Sequence, residues 1–108
     1  MIVYKSHQED DIWCEFGSAY ELIRRSLDEK FPQIAKSNWS FEKAYVNWYG
    51  STYHVSASFT RYDDELKEVV LVSCSAEGSQ NNEEISISCG ERVPVEFDSF
   101  NREYRKKD

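Results

Sequence analysis

Five side chains carry most of the reactive chemistry available to this sequence: His7, His54, Cys14, Cys74 and Cys89. No two cysteines stand as C-x-x-C, and neither histidine has a metal-ligand partner at a ligand-like spacing, so a zinc site would require the cysteines to converge on them through the fold. His54 falls in a predicted strand among Ser56, Ser58 and Thr60, where it would serve as a general base only if a serine or cysteine nucleophile met it in space. No nucleophile motif accompanies it. The expectation is therefore no catalytic residue, no metal and no cofactor, with His54 a strand histidine among serines. The three cysteines are expected as free thiols, because an odd count without a leader points to a reducing compartment. Cys74 and Cys89 fall on adjacent predicted strands, where they either face one another or pack as small apolar groups.

Carboxylates are the second chemical resource. Glu9, Asp10 and Asp11 form one cluster, Asp63, Asp64, Glu65 and Glu68 another, with Glu83 and Glu84 further on. Paired carboxylates can bind divalent cations or perform acid-base hydrolysis. The first cluster lacks the twelve-residue calcium-loop pattern, however, and the second has Leu66 and Lys67 where oxygen ligands would be needed. Both read as solvated turns, and an accessible acidic turn is suited to docking a basic partner. Three Trp and seven Tyr accompany them. Trp13, Trp39, Trp48, Tyr45, Tyr49 and Tyr62 are too many for a thin two-layer core, and aromatic groups rimmed by carboxylates have the composition of an interface hot spot. The candidate partner-binding residues are accordingly Asp10, Asp11, Trp13, Trp48, Asp63, Asp64 and Glu65.

The elements that must position these residues follow from periodicity. Residues 2–6 are β-branched enough for a short strand, and 8–11 read as an acidic turn. Ile12, Cys14 and Phe16 then alternate as in a strand, or belong to an early helix start. Ser18 and Glu21 have the capping-box spacing that marks a helix N-terminus. Tyr20, Ile23, Leu27, Phe31 and Ile34 form one apolar stripe, with Glu21, Arg24, Arg25, Asp28 and Glu29 facing water. Pro32 should stop or kink this helix, with a short turn continuing to Lys36.

From Phe41 the period becomes two. Gly50-Ser51 supplies a tight turn between strands, residues 61–67 and 78–82 break the pattern twice more, and Ile85, Ile87 and Cys89 complete a four-strand meander. Val93, Val95 and Phe97 add a fifth strand or an extended loop, Pro94 confining a strand there to an edge. Residues 69–72 alone are apolar on both faces, which places that strand centrally. Residues 98–108 read as a short closing helix or a frayed tail. The expected fold is one α+β domain over residues 1–108: an antiparallel meander of four to five strands with an N-terminal amphipathic helix packed on one face. Ile23, Leu27, Val55, Phe59, Val72 and Ile87 are its expected core.

The charge balance, 13 Lys and Arg against 20 Asp and Glu for a formal −7, would repel a phosphate backbone, so direct nucleic-acid binding is not expected. The first residues lack the features of a signal peptide and no apolar run approaches membrane-spanning length, the longest being 69–72. The expected location is the cytoplasm. In size, acidity and aromatic content the chain resembles the small immunity proteins that bacteria use against their own toxin domains, and phage-encoded inhibitors of host nucleases share that character. The resemblance implies a stoichiometric inhibitor that binds a cationic, often nucleic-acid-cleaving toxin domain and blocks its active site or its substrate's approach. The alternative is a small ligand-binding or enzymatic domain using His54 and the serine-rich strand face; a third is a subunit of a larger assembly.

Overall fold

A computed structural model describes residues 6–32, 39–80 and 82–107. In chain order its elements are β1 (Ser6–His7), α1 (Glu9–Lys30), β2 (Ser40–Tyr49), β3 (Thr52–Asp63), β4 (Glu68–Ser79), β5 (Asn82–Cys89), β6 (Val93–Asp98) and β7 (Glu103–Lys106). All strand pairs are antiparallel, so the class is α+β. The sheet has seven strands among the described residues, more than the four to five expected. Of the strand expected over 2–6, only Ser6 lies within the described residues, and it pairs with Tyr45.

The helix begins at Glu9, well before Ser18, so the early helix start is the alternative that holds. The apolar stripe explains why: Ile12, Phe16, Ala19, Tyr20, Ile23 and Leu27 are all buried, extending the stripe toward the N-terminus. Glu9, Asp10 and Asp11 occupy the first turn, where carboxylates meet the positive end of the helix dipole. They replace a side-chain cap, which Gln8 does not supply. At Phe16 the backbone leaves helical values (φ −133°, ψ 39°), and Ser18 lies exposed just beyond this bend. Across the bend the Tyr20 hydroxyl donates to the Glu9 carboxylate. Burial, and then Glu9, push the Tyr20 phenol well above its ordinary pKa. The helix stops at Lys30, ahead of Pro32 as expected, and the Phe31 N–H donates back to the Leu27 carbonyl at 3.1 Å. Ile34 and the turn expected to reach Lys36 lie outside the described residues.

Strands β2 and β3 form a hairpin through Gly50-Ser51, with Gly50 at φ 65° in the left-handed region that glycine enters without steric cost. β4 is central, as its two-sided apolarity requires. β3 lies along one edge, while the other edge is divided between β5, opposite Cys74 to Ser79, and β6, opposite Val70 and Leu71. This division departs from a simple meander. The Gly90 N–H donates to the Ser73 carbonyl at 2.9 Å where the chain leaves β5 for β6. Cys74 and Cys89 are direct cross-strand partners joined as a disulfide, which corrects the expectation of free thiols there; Cys14 alone is free and exposed.

Instead of a closing helix or frayed tail, the C-terminal segment is the β6–β7 hairpin. Asp98 organises its turn. One carboxylate oxygen accepts from the backbone N–H groups of Phe100 (3.0 Å) and Asn101 (3.2 Å), the other from the Asn101 side chain (2.7 Å) and Arg105 (3.0 Å). The Asn101 side chain, Arg105 and the Asn101 backbone N–H hold the Asp98 pKa down to about 2. Phe97 and Tyr104, opposite one another, meet with ring centroids 5.2 Å apart, while Phe100 stands 92% exposed in the turn.

Alternation sorts the strand side chains into two faces. Ala44, Val46, Val55, Ala57, Phe59, Val70, Val72, Cys74 and Ala76 join the buried side of α1 in one hydrophobic cluster, with Tyr20 stacked on Phe59 at 6.0 Å. Of the expected core, Ile23, Leu27, Val55, Phe59 and Val72 are fully buried, and Ile87 packs against the cluster partly buried. The intervening positions are polar: Tyr45, Ser56, Ser75 and Ser88 form one row of direct partners across β2 to β5, and Lys43, Ser58 and Ser73 form the next. The β6–β7 hairpin walls a groove of about 650 Å³ over this second row. No helix among the described residues is long and apolar enough to cross a membrane.

Candidate protein-docking site

From its start to Ile23, α1 carries Glu9, Asp10, Asp11, Glu15 and Glu21, with no cation before Arg24. Asp10, Asp11, Glu15 and Glu21 are exposed, so the field on this side of the helix is negative. Trp13 rises from the middle of the cluster. Its indole is 45% exposed and stands edge-on to Tyr20, with centroids 4.7 Å apart. Asp10 and Trp13 are three residues apart and share one side of the helix. The sequence places Asp10 and Asp11 in a turn; the fold places them on a regular element anchored by Ile12 and Phe16, which fixes the indole relative to the carboxylates.

The second acidic cluster divides. Asp64 and Glu65 are exposed in the β3–β4 connection, whereas Asp63 is buried at 1% exposure. The expectation that turn carboxylates are accessible fails at Asp63 for an identifiable reason. Its Oδ1 accepts the backbone N–H groups of Glu65 (2.8 Å) and Leu66 (3.1 Å), and its Oδ2 accepts Arg92 at 2.5 Å. Burial alone would raise the Asp63 pKa, but the Leu66 N–H, Arg92 and the Glu65 N–H outweigh it and hold the carboxyl below its ordinary range. Arg92 in turn reaches Glu65 at 3.4 Å and lies over the Phe31 ring at 5.8 Å. Asp63 is thus the internal brace of this connection, tying β3 to the end of the helix.

The three tryptophans take different roles. Trp39 is buried against Phe31, Trp48 is half-buried against Phe16 and Tyr53, and Trp13 is the most exposed of the three. Trp48 lies opposite Tyr53, ten residues along β3 from Asp63, which at strand rise is about 33 Å. Trp48 and the Asp64–Glu65 pair therefore stand near opposite ends of one strand and do not form a single patch. His54 is half-buried opposite Asn47 and Glu77 and is not part of the groove lining. Among the described residues no group of three or more His, Cys, Asp or Glu side chains is placed to hold a metal ion.

Sequence reasoning missed the C-terminal hairpin and the side chains it exposes. Its exposed Phe97 and Phe100, with Arg102 and Lys106 beside them, had a readable signal in Asp98-Ser-Phe-Asn101, a pattern suited to an Asp side chain capping the following backbone. Compared with protein-family models, curated proteins and solved structures, the chain matches none.

Proposed function

We propose that this protein is a stoichiometric protein-binding inhibitor, of the immunity-protein kind, that neutralises a cationic and nucleic-acid-cleaving toxin domain in the cytoplasm. The observation that carries the reading is the cation-free start of α1, where Asp10 shares one side of the helix with a half-exposed indole at Trp13 and the exposed Asp11 and Glu15 add negative charge to the same turns. Carboxylates on the same element as an aromatic anchor combine long-range attraction with a desolvated contact: the charges accelerate encounter with a basic surface, and the indole supplies apolar area that leaves water on docking. With α1 covering one face of the sheet, its outer side is presented on a braced element whose ordering cost is met before binding, which favours a tight complex. Asp64 and Glu65 extend the negative field at the far end of β3. Trp48 supports the bend at Phe16 from beneath, and Asp63 holds the fold.

The test is capture of the partner from the native host followed by titration of the partner's own activity with purified protein. The expected result is a basic partner whose nuclease activity falls linearly and reaches zero near one equivalent. An acidic partner, or one that keeps its activity in the complex, contradicts the reading.

A further inference from the structure

The groove beneath the β6–β7 hairpin gathers three cations, Lys43, Arg102 and Lys106, beside three carboxylates, Glu42, Glu91 and Glu103. Among the described residues Arg24, Arg25, Lys30, Arg92, Arg105 and Lys107 each meet a carboxylate within 4 Å. Lys43, Arg102 and Lys106 have no such ion pair, and all three line this one groove, whereas Lys67, in the β3–β4 connection, has none and lies outside it. Arg102 and Lys106 belong to the same basic hairpin segment, and the fold brings Lys43 of β2 to them from about sixty residues away. Of the carboxylates at the rim, Glu42 is occupied by the Thr60 hydroxyl at 2.5 Å and Glu91 by Lys30 at 3.2 Å, which leaves Glu103 as the acceptor among them not already engaged.

The floor and wall add two further features. Ser58 and Ser73 place their hydroxyls 3.4 Å apart across β3 and β4. Tyr45 and Tyr104 contribute rings from the floor and the opposite wall; the Lys43 ammonium lies 5.9 Å from the Tyr45 ring centroid, and Phe97 fixes Tyr104 from behind. A volume of about 650 Å³ falls within the range of small-molecule sites. Three unpaired cations call for a polyanion, two tyrosine rings for a planar ring, and a pair of hydroxyls with one open carboxylate for a polyhydroxylated linker between them.

We propose that this groove binds a nucleoside phosphate, with the phosphates between Lys43, Arg102 and Lys106, the base against Tyr45 or Tyr104, and the sugar hydroxyls toward Ser58, Ser73 and Glu103. The proposal is independent of protein docking by α1, because the groove lies on the polar positions of the strands and the helix packs with the apolar ones.

The experiment titrates the isotopically labelled full chain with ADP, pyrophosphate and adenosine and follows backbone amide shifts. Saturable shifts are expected around residues 43–45, 58, 73 and 101–106, with ADP binding at least about tenfold more tightly than either part alone. Arg102→Asn suits the left-handed backbone at that position (φ 56°), and Lys106→Gln is a separate change on a strand. Each should weaken ADP binding by about tenfold, while Lys67→Gln, a cation outside the groove, leaves it unchanged. The dispersed amide spectrum reports whether each variant is folded, and the two groove variants stand in different elements. Absence of saturable shifts at about 10 mM ADP, shifts that Arg102→Asn and Lys106→Gln leave untouched, or pyrophosphate binding as tightly as ADP would each overturn the proposal.

Discussion

Asp63 is buried by the turn that follows it and by an arginine 29 residues away in the chain. In the sequence it is one of four carboxylates in six positions, and clustering of that kind ordinarily means solvent. What sets it apart is the backbone: the chain turns immediately after it, so its carboxylate caps the N–H groups of Glu65 and Leu66, and Arg92, 29 residues away, closes over it. Nothing local encodes that last contact. Asp63→Ala is expected to destabilise the fold by about 2–3 kcal/mol, since it leaves buried donors without their charged acceptor. The effect has a defined pH dependence. The folded pKa lies below the unfolded value of about 3.9, so the carboxylate contributes stability above that value and loses it as pH falls through the folded pKa. Urea midpoints of the parent and of Asp63→Asn should therefore differ by a constant amount from about pH 5 to 7 and converge below about pH 4. A gap that persists unchanged into strong acid would show that the charge contributes nothing.

At the scale of elements, the legible parts were those whose burial is set by neighbours in sequence. The stripe through Tyr20, Ile23 and Leu27, the Gly50-Ser51 turn and the two-sided apolarity of 69–72 each follow from periodicity, and the helix, the first hairpin and the central strand stand where that periodicity puts them. The helix start did not, because Ser18 and Glu21 satisfy a local capping pattern that Ile12 and Phe16 override by tertiary burial. The C-terminal hairpin was misread for a similar reason. Phe100 and Tyr104 have helical spacing, but the ring that meets Tyr104 is Phe97 across the hairpin, and Asp98 stabilises the turn between them. The division of the β4 edge between β5 and β6 could not be read at all, since β5 pairs only Cys74 to Ser79 and leaves Val70 and Leu71 to β6, a boundary that no periodicity marks. That edge also sets the cysteine pairing. Alkylation of the unreduced folded protein followed by mass spectrometry should label Cys14 and leave Cys74 and Cys89 protected as a pair; labelling of all three after unfolding without reductant would contradict the disulfide.

For the whole molecule, the net charge of −7 conceals a division that the sequence order hides. The start of α1 is purely acidic, whereas the hairpin that ends the chain contributes Arg102, Arg105, Lys106 and Lys107. The candidate docking residues were visible as types, but their partition into exposed charges (Asp10, Asp11, Asp64, Glu65), a half-exposed indole (Trp13) and internal supports (Asp63, Trp48) required the fold. Exposed charges act before contact over a screening length of about 8 Å and govern the association rate, while a desolvated anchor governs how long the complex lasts. The most direct test of docking by α1 is therefore a measurement of association and dissociation rates with the captured basic partner at about 50 mM and about 300 mM salt, for the parent, for Asp10→Lys with Asp11→Lys, and for Trp13→Ala. The double reversal should slow association by about tenfold at low salt and flatten its salt dependence, and Trp13→Ala should leave association nearly unchanged while speeding dissociation by about tenfold or more. Rates that respond to neither salt nor these substitutions would contradict docking through the acidic start of α1.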